Sequence, residues 1–475
     1  MIPNLFSELS QAALPQVARE GAAVPAYCRS GVQPGVVHLG LGAFNRAHQA
    51  LVFDDLLARG DTRWGVLGVA TRSWQLADTL AAQDGLYAVK LASAAGASWR
   101  VVGSVLQTCA AAREPERVHA AIANAATRWV TVTVTEKGYD ASLAELLVEG
   151  FRQRRNTGLA GLTVASCDNL SRNGDKLKAL CLERCADSSE KSLADWIARE
   201  CRFPNSMVDR IVPAATATCM QEAAAVLGVR DQAALVSETF WQWVIEDNFV
   251  EPGDGSVLAL SGVTVVPDVG PYEDAKLRML NGSHSALACL GALMGLPTVF
   301  DCVSQPTVRQ FIFQLMSLEV MPHLERPDLP AYRDALLERF GNSEIKHGVH
   351  QIATDSSQKI GLRWLPSILA QLQAGGSSEH LAFAAAAWMR YCLGEDDCGN
   401  SYVINDPQAG LLGGIARSNR ADMHASVDAF FNQYSIWGDA LASQINWKHS
   451  SCRWLQEIYT HGTARALALF IQESA

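Results

Sequence analysis

The stretch "VVHLGLGAFNRAHQALVFDDLL", residues 36–57, predicts a buried strand, a glycine turn and a helix. Gly40 and Gly42 follow the apolar strand directly, and a helical pattern begins within a few residues. In dinucleotide-binding folds, the first glycine permits the tight turn and the second lets the backbone approach the pyrophosphate. The third glycine of that fingerprint is replaced here by Asn45. The stretch is therefore compatible with a nucleotide-binding turn and with an ordinary strand-to-helix turn.

The residues around this turn leave the choice of nucleotide open. NAD-binding folds usually carry an acidic residue at the end of the second strand, where it binds the adenosine ribose. In this chain the second predicted strand, "RWGVLGVAT", leads into Thr71, Arg72 and Ser73 without a carboxylate. NADP is therefore not excluded. Arg46 is the cation nearest to a bound pyrophosphate, although a solvated helix charge explains it equally well.

Composition narrows the class of protein. The 475 residues are 49% hydrophobic and 19% charged, which is typical of a soluble globular chain with two or three domains. The net charge of -10 argues against nucleic acid or an anionic membrane as the main partner, but not against a small anionic substrate. Twelve scattered cysteines without a CxxC pair, and an N-terminal stretch without a signal-peptide pattern, predict reduced thiols and a cytoplasmic protein.

The order of predicted elements indicates an α/β fold in two parts. Residues 36–140 alternate between short apolar strands and amphipathic helices, which favours a doubly wound sheet. The strands "LYAVKLAS" (86–93) and "WRVVGSVL" (99–106) are predicted to form a hairpin. Long helical patterns dominate residues 275–475. We therefore predict a dinucleotide-binding domain over residues 1–268 and a helical substrate or catalytic domain over residues 269–475.

A second informative stretch, "YEDAKLRMLNGSHSALACLG" (272–291), places polar residues on an otherwise apolar helix. On an ideal α-helix with Lys276 at zero, Glu273, His284 and Asn281 fall at about 60°, 80° and 140°. A solvated helix face would explain such a stripe about as well as a functional cleft would. The poor helix pair Asn281-Gly282 and the apolar run after it favour the cleft.

These side chains suit a redox step between a carbonyl and an alcohol. A lysine partly removed from water can exchange a proton with an alcohol, and asparagine amides can donate hydrogen bonds to a developing alkoxide. The sequence contains neither HExxH nor a dense Cys/His spacing, so we predict no metal.

Motifs spread in order over residues 36–390 resemble the long-chain mannitol dehydrogenase family of polyol and sugar-acid oxidoreductases. The resemblance rests on "GLGAFNRAH" (40–48), "TVTEKGY" (133–139), "SCDN" (166–169), "MVDRIVPA" (207–214), "WVIEDNF" (243–249) and "KLRMLNGSHS" (276–285). Within the family, "MVDRIVPAAT", "WVIEDNFV" and "HQIATDSSQK" are most similar to the branch of fructuronate reductases, also called mannonate oxidoreductases.

This resemblance implies an extended Rossmann-type N-terminal domain, a mostly α-helical C-terminal domain, and a metal-independent site in the cleft between them. Lys276 matches the family's catalytic lysine, and Asn169 and Asn281 match the asparagines that hold the reacting oxygen. His284 matches the histidine that orients the substrate, and Glu273 matches a carboxylate that exchanges protons with solvent. The remaining matches are Gly40, Gly42, Phe44, Arg46, Thr135 and Glu136 on the cofactor side, with Glu136 also matching a proton-exchange carboxylate, and Asp209 and Lys359 on the substrate side.

One departure from the family pattern bears on the substrate. Mannitol-specific members carry an arginine eight residues before the lysine that matches Lys359, whereas this chain has Gln351, as expected for a fructuronate reductase. The resemblance thus implies an NAD-dependent enzyme, with NADP not excluded, that interconverts D-fructuronate and D-mannonate as a monomer or weak dimer. A polyol 2-dehydrogenase acting on mannitol or arabinitol is the alternative, and a catalytically silent NAD(H)-binding sensor is a third possibility.

Overall fold

The computed structural model describes residues 6–187, 190–441 and 443–474. Residues 1–5 of the N-terminal stretch considered above for a signal peptide lie outside this part of the chain. The chain forms two compact units, Met1–Gly270 and Pro271–Ala475, and each unit has its own buried apolar core.

In its described residues, unit 1 contains eleven β-strands and ten α-helices. In chain order the strands are β1 (Pro34–Leu39), β2 (Gly65–Ala70), β3 (Tyr87–Ser93), β4 (Gly96–Val102), β5 (Val105–Ala110), β6 (Trp129–Val132), β7 (Thr163–Ser166), β8 (Ser206–Asp209), β9 (Leu235–Glu238), β10 (Gln242–Glu246) and β11 (Thr264–Val266). The helices are α1 (Leu14–Arg19), α2 (Ala43–Ala47), α3 (Gln49–Ala58), α4 (Gln75–Ala82), α5 (Pro115–Ile122), α6 (Ala141–Asn156), α7 (Asn173–Asp187), α8 (Lys191–Glu200), α9 (Ala217–Leu227) and α10 (Asp254–Ala259).

The main sheet of unit 1 is parallel and has the order β5-β2-β1-β6-β7. Its strands are almost continuously apolar because helices cover both faces, as predicted for a doubly wound sheet. The strand order reverses at β1, where Leu39 pairs with Val69 of β2 and with Val132 of β6. In such sheets, ligands bind beyond the carboxyl ends of the strands at this reversal.

The predicted hairpin is confirmed in part. β3 and β4 pair antiparallel, from Tyr87 opposite Val102 to Ser93 opposite Gly96. The predicted second strand, however, ends at Val102, and its last residues begin β5, which pairs parallel with β2 in the main sheet. Gly103 and Ser104 make this break because they bond to α3: the Gly103 N–H donates to Asp54 at 2.9 Å and the Ser104 hydroxyl to the Ala50 carbonyl at 2.7 Å.

Unit 2 is dominated by helices. They are α11 (Gly270–Ala275), α12 (Gly282–Leu293), α13 (Val299–Val303), α14 (Pro306–Gln314), α15 (Leu329–Phe340), α16 (Val349–Ala353), α17 (Ser356–Gln373), α18 (Glu379–Tyr391), α19 (Ala409–Ser418), α20 (Met423–Phe431), α21 (Tyr434–Trp437), α22 (Ile445–His461) and α23 (Thr463–Glu473), with π-helical turns at Lys276–Asn281 and Leu315–Val320. α18 is buried on all sides, and its alanines allow close packing against α12 and α22.

Ten of the twelve cysteine side chains are buried, and only Cys28 and Cys398 are exposed. Across the described ranges, none of the helices has both the length and the apolar character that crossing a bilayer requires.

Candidate active site

The glycine turn after β1 is held against both neighbouring strands. Gly40 has a φ of +103°, and a Cβ at this position would lie 2.1 Å from the Thr133 carbonyl oxygen, so only glycine fits. Its N–H donates to Val69 at 2.9 Å, and its carbonyl accepts a hydrogen bond of 2.8 Å from the Thr133 hydroxyl. The loops after β1 and β6 therefore meet at one edge of the sheet.

His38 supports this turn from within β1 and is a residue that the sequence analysis missed. Its Nδ1 lies 2.8 Å from the Thr131 hydroxyl and its Nε2 lies 2.9 Å from the Thr133 hydroxyl. Burial lowers the pKa of His38 to about 3, so the imidazole is neutral and can both donate and accept. The sequence feature that could have identified His38 is a polar residue inside an apolar strand, directly before the glycine turn.

Gly42 fits a bound dinucleotide for a different reason. Its φ of -116° is open to any residue, and a Cβ there would meet no atom closer than the Gly40 carbonyl oxygen at 3.6 Å. The protein's own packing therefore does not require a glycine at this position, whereas close approach of a pyrophosphate to the backbone does. Phe44, in the helix that follows, stacks on the His48 ring at 5.0 Å.

The position of Arg46 differs from the predicted one beside a pyrophosphate. Its side chain is only 4% exposed, its guanidinium donates to the Ala233 carbonyl, and it lies 5.1 Å from the centre of the Tyr87 ring. Burial lowers the pKa of Arg46. The structure thus assigns this cation to the interior of unit 1 rather than to a pyrophosphate, because α2 directs residue 46 into the protein.

The loop after β6 contains a strained residue that is held by a buried carboxylate. Thr135 has φ +67° and ψ 167°, a conformation that is nearly restricted to glycine and costs about 1–3 kcal/mol. The Asp168 carboxylate accepts hydrogen bonds from the Thr135 N–H at 2.7 Å and the Val134 N–H at 3.1 Å. Since strain of this kind clusters at ligand-binding sites, the loop and its carboxylate are candidate functional elements.

This arrangement gathers several predicted residues at one edge of unit 1. Asp168 directly precedes the exposed Asn169, so one carboxylate links the loops that carry Thr135, Glu136 and Asn169. Asp209 ends β8 and is buried opposite Gln242. The start of β8 bonds to the end of β7, because the Ser206 hydroxyl donates to the Ser166 carbonyl at 2.5 Å.

Replacing Asp168 by asparagine is expected to loosen this loop. Asparagine offers one carbonyl oxygen and would turn an amide N–H₂ toward a backbone donor, so one hydrogen bond becomes a donor–donor contact. We expect a loss of about 1–3 kcal/mol in unfolding free energy and a roughly tenfold weaker NADH affinity. Urea denaturation and NADH fluorescence titration measure the two effects. Asp195→Asn, at an exposed position on α8, is the control.

A cavity of about 670 Å³ opens beyond the carboxyl ends of β2 and β5, on the side where a dinucleotide fold holds its adenosine half. Arg72 lines it and has no ion-pair or hydrogen-bond partner among the residues that the structure describes. The carboxylates nearby are engaged: Asp140 accepts hydrogen bonds from the first turn of α6, and Glu145 accepts one from Arg184. We therefore predict that Arg72 contacts the 2′-phosphate when NADPH is bound.

Arg72→Ala is expected to affect the two reduced cofactors unequally. A charge-assisted contact to the 2′-phosphate would be lost with NADPH, lowering kcat/KM by about 10- to 100-fold, whereas the value with NADH should change by less than about threefold. Steady-state rates with both cofactors measure this difference. Equal losses with NADH and NADPH would show that Arg72 does not contact that phosphate.

In unit 2, the predicted polar stripe lies on a π-helical turn. Residues Lys276–Asn281 form this turn, in which hydrogen bonds span five residues, so the ideal α-helical angles predicted above do not hold across it. Lys276 and Asn281 stand at its two ends and are half-buried, as is Glu273 in α11. π turns are rare in proteins overall, but those that occur are often found at functional sites. The Trp364 ring of α17 fixes the end of the turn by donating to the Gly282 carbonyl at 3.0 Å.

His284, in the first turn of α12, is a buried and neutral imidazole. It is 7% exposed, and its ring packs 4.9 Å from Phe340 and 5.2 Å from His347. Burial, together with the nearby His347, Arg339 and Arg363, holds the pKa of His284 well below its usual range. Its Nε2 makes no hydrogen bond to any residue that the structure describes, which suits an atom that bonds to a substrate hydroxyl.

Helix α17 brings a cation to the π turn that the sequence analysis did not identify. The Arg363 guanidinium donates from Nη1 to the Ser285 hydroxyl at 2.8 Å and to the Asn281 carbonyl at 3.3 Å. Lys359, one turn earlier on α17, donates to the Thr354 carbonyl at 2.5 Å. The spacing of four residues between the two cations was the available signal. Gln351 is exposed on the separate short helix α16.

Comparisons with known proteins agree with this architecture. The family model of the mannitol dehydrogenase Rossmann domain matches residues 34–254, and that of the mannitol dehydrogenase C-terminal domain matches residues 268–449. The D-mannonate oxidoreductase of Escherichia coli (strain K12) is 38% identical over 94% of this chain and 97% of its own length. A mannitol 2-dehydrogenase of Pyrenophora tritici-repentis is 37% identical over 82% of this chain and 74% of its own.

Solved structures extend the match to the fold. The mannitol 2-dehydrogenase of Pseudomonas fluorescens, solved as a ternary complex with NAD and D-mannitol, superposes with a TM-score of 0.82 at 30% identity, covering 98% of this chain and 99% of that one. A substrate-free D-sorbitol dehydrogenase gives a TM-score of 0.88 at 28% identity, covering 97% and 100%. The predicted Rossmann-type domain followed by a helical domain is confirmed, and the chain belongs to the mannitol dehydrogenase family of oxidoreductases.

Proposed function

We propose that this enzyme interconverts D-fructuronate and D-mannonate with NAD(H). The observation that carries the proposal is the positive charge around the π turn of unit 2, in a chain whose net charge is -10. Arg363 donates to the Asn281 carbonyl at 3.3 Å. Burial, followed by His347, Arg339 and Arg363, lowers the pKa of His284. Burial, followed by Arg363, lowers the pKa of Lys359, and Asp355 and Asp406 oppose that shift. Such surroundings favour an anionic sugar acid over a neutral polyol. The match to a D-mannonate oxidoreductase over nearly the whole chain supports the same substrate.

The proposed cofactor site is the edge of unit 1 formed by the loops after β1 and β6. The bare backbone at Gly42 suits a pyrophosphate, and the strained loop at Thr135 lies beside it, because Thr133 bonds to Gly40. Bound NADH would supply the hydride that reduces the ketone. The Pseudomonas fluorescens relative holds NAD, which supports this assignment.

The proposed proton chemistry belongs to Lys276. In the direction of reduction, its ammonium gives a proton to the carbonyl oxygen as the carbonyl carbon gains the hydride; in oxidation, the neutral amine takes the proton of the alcohol. The amides of Asn281 and Asn169 would donate hydrogen bonds to that oxygen while negative charge develops on it. Glu273, three residues before Lys276, would exchange the proton with solvent.

The neutral His284 would orient the substrate. Its Nε2 has no protein partner among the described residues, and its neutrality allows the ring to accept or donate a hydrogen bond to a sugar hydroxyl. Asp209, Lys359 and Gln351 remain proposed substrate-side residues on the family pattern.

A substrate comparison tests the proposal. We expect kcat/KM with NADH to be highest for D-fructuronate, and lower for D-fructose and D-xylulose. A preference for fructose or xylulose would establish the alternative, a polyol 2-dehydrogenase, which the match to mannitol 2-dehydrogenases supports. NADH binding without turnover of any of the three ketoses would instead indicate a sensor.

A further inference from the structure

The Arg363 guanidinium stands at the π turn with part of its hydrogen-bonding capacity unused. Nη1 holds the Ser285 hydroxyl and the Asn281 carbonyl. Nε and Nη2 make no hydrogen bond to any described residue, and neither of them is fully enclosed. An arginine presents its donors as a planar fork, so these two remaining groups form one edge that matches the two oxygens of a carboxylate.

Within the described residues, Arg363 forms no ion pair, and burial lowers its pKa to about 10 without an opposing acidic neighbour. A half-buried cation is costly unless it is paired or hydrogen-bonded. Other half-buried arginines of the protein do have partners: Arg128 pairs with Asp254 at 2.8 Å, and Arg100 pairs with Asp54 at 2.5 Å. Arg29 and Arg210, which are buried and also lack a carboxylate partner among the described residues, bond to carbonyl oxygens through Nε, Nη1 and Nη2, whereas Arg363 makes no such bond through Nε and Nη2.

A second cation reinforces the first. Lys359 and Arg363 are four residues apart on α17, so their side chains share one face of the helix. Lys359 also forms no ion pair with a described residue, although Asp355 and Asp406 oppose the lowering of its pKa. Lys359 is close enough to Arg363 to interact with it electrostatically, and Arg363 contacts Asn281, so the two positive charges produce a local field that attracts an anion.

We propose that Arg363 is the residue that recognises the carboxylate of the substrate and so selects sugar acids over polyols. This inference rests on the proposed function, because it names the side chain that would bind the carboxylate of the sugar acid. D-Fructuronate carries its ketone and its carboxylate near opposite ends of its six-carbon chain. Arg363 bonds to the backbone of Asn281, whose amide is proposed to hold the reacting oxygen, so adjacent residues would contact the two ends. A neutral ketose would leave the arginine edge unpaired.

Arg363→Gln and Arg363→Lys test this role. With D-fructuronate, we expect Arg363→Gln to lower kcat/KM by about 10- to 100-fold, mainly through KM, and to change the value for D-fructose by less than about threefold. Arg363→Lys keeps the charge but loses the fork, so it should recover part of the loss. Arg309→Gln is the matched control, because Arg309 is also an arginine of unit 2 bonded to a backbone carbonyl, that of Leu337.

A binding measurement separates recognition from turnover. D-mannonate is titrated calorimetrically into each variant in the presence of NADH, a pair that cannot react, and D-mannitol is the neutral counterpart. Arg363→Gln should weaken mannonate binding by the same 10- to 100-fold and leave mannitol binding unchanged. If Arg363→Gln fails to fold, as thermal denaturation would show, the comparison of Arg363→Lys with wild type carries the test.

Failure of the proposed function can be distinguished from failure of the proposed role of Arg363. A wild-type enzyme that prefers fructose to fructuronate overturns the proposed function, and the role of Arg363 with it. A wild-type enzyme that prefers fructuronate, with a variant that loses activity equally on acid and neutral ketose, overturns only the role of Arg363. In that case the arginine would serve to join α17 to α12 through Ser285.

Discussion

Lys276→Ala is expected to lower kcat by about 10²–10⁴-fold, the range that a positioned general acid–base group contributes. Alanine cannot hold the proton that moves between the alcohol oxygen and the enzyme. NADH affinity should change little, because the proposed cofactor loops belong to unit 1 and Lys276 to the π turn of unit 2. Single-turnover rates and NADH fluorescence titration measure the two quantities.

A control and a pH profile make this test specific. Lys448→Ala removes a lysine of the same unit that pairs with Asp428, and it should retain wild-type turnover. Oxidation by the wild type should rise toward alkaline pH, since the lysine must be neutral to accept a proton, and the profile of Lys276→Ala should lose that rise. Near-normal turnover in Lys276→Ala would assign the proton chemistry to another group.

The second large effect is expected at the two asparagines. Asn169→Ala and Asn281→Ala should each reduce the rate of the chemical step by about 10²–10³-fold, or roughly 3–4 kcal/mol, because each removes a donor from an oxygen that gains negative charge. NADH affinity should stay nearly unchanged in both. An unimpaired Asn169→Ala would leave unit 1 with cofactor binding alone.

The double variant shows whether both amides act on one oxygen. Donors to the same atom are coupled, so the combined loss should be smaller than the product of the two single losses. Single-turnover rates of wild type, both single variants and the double variant complete the cycle. Strict additivity would mean that the two asparagines act on different atoms.

The sequence by itself determined the features that depend on neighbouring residues. Apolar runs, β-branched residues and glycines predicted β1, its turn and the alternation of strands and helices, because strand and helix periods are local properties. Gly40 is an example, since its positive φ belongs to the turn itself. The shift from strands to helices in the last part of the chain was readable for the same reason.

Tertiary structure decided what depends on residues far apart in the chain. The interior position of Arg46 depends on the carbonyl of Ala233, and the contact of Arg363 with Asn281 joins two helices. The π turn ends where Trp364 bonds to Gly282. The angular positions of its side chains could therefore not be predicted from an ideal α-helical pattern. Periodicity shows which face of an element is buried, but the partner of a buried polar group is chosen by long-range packing.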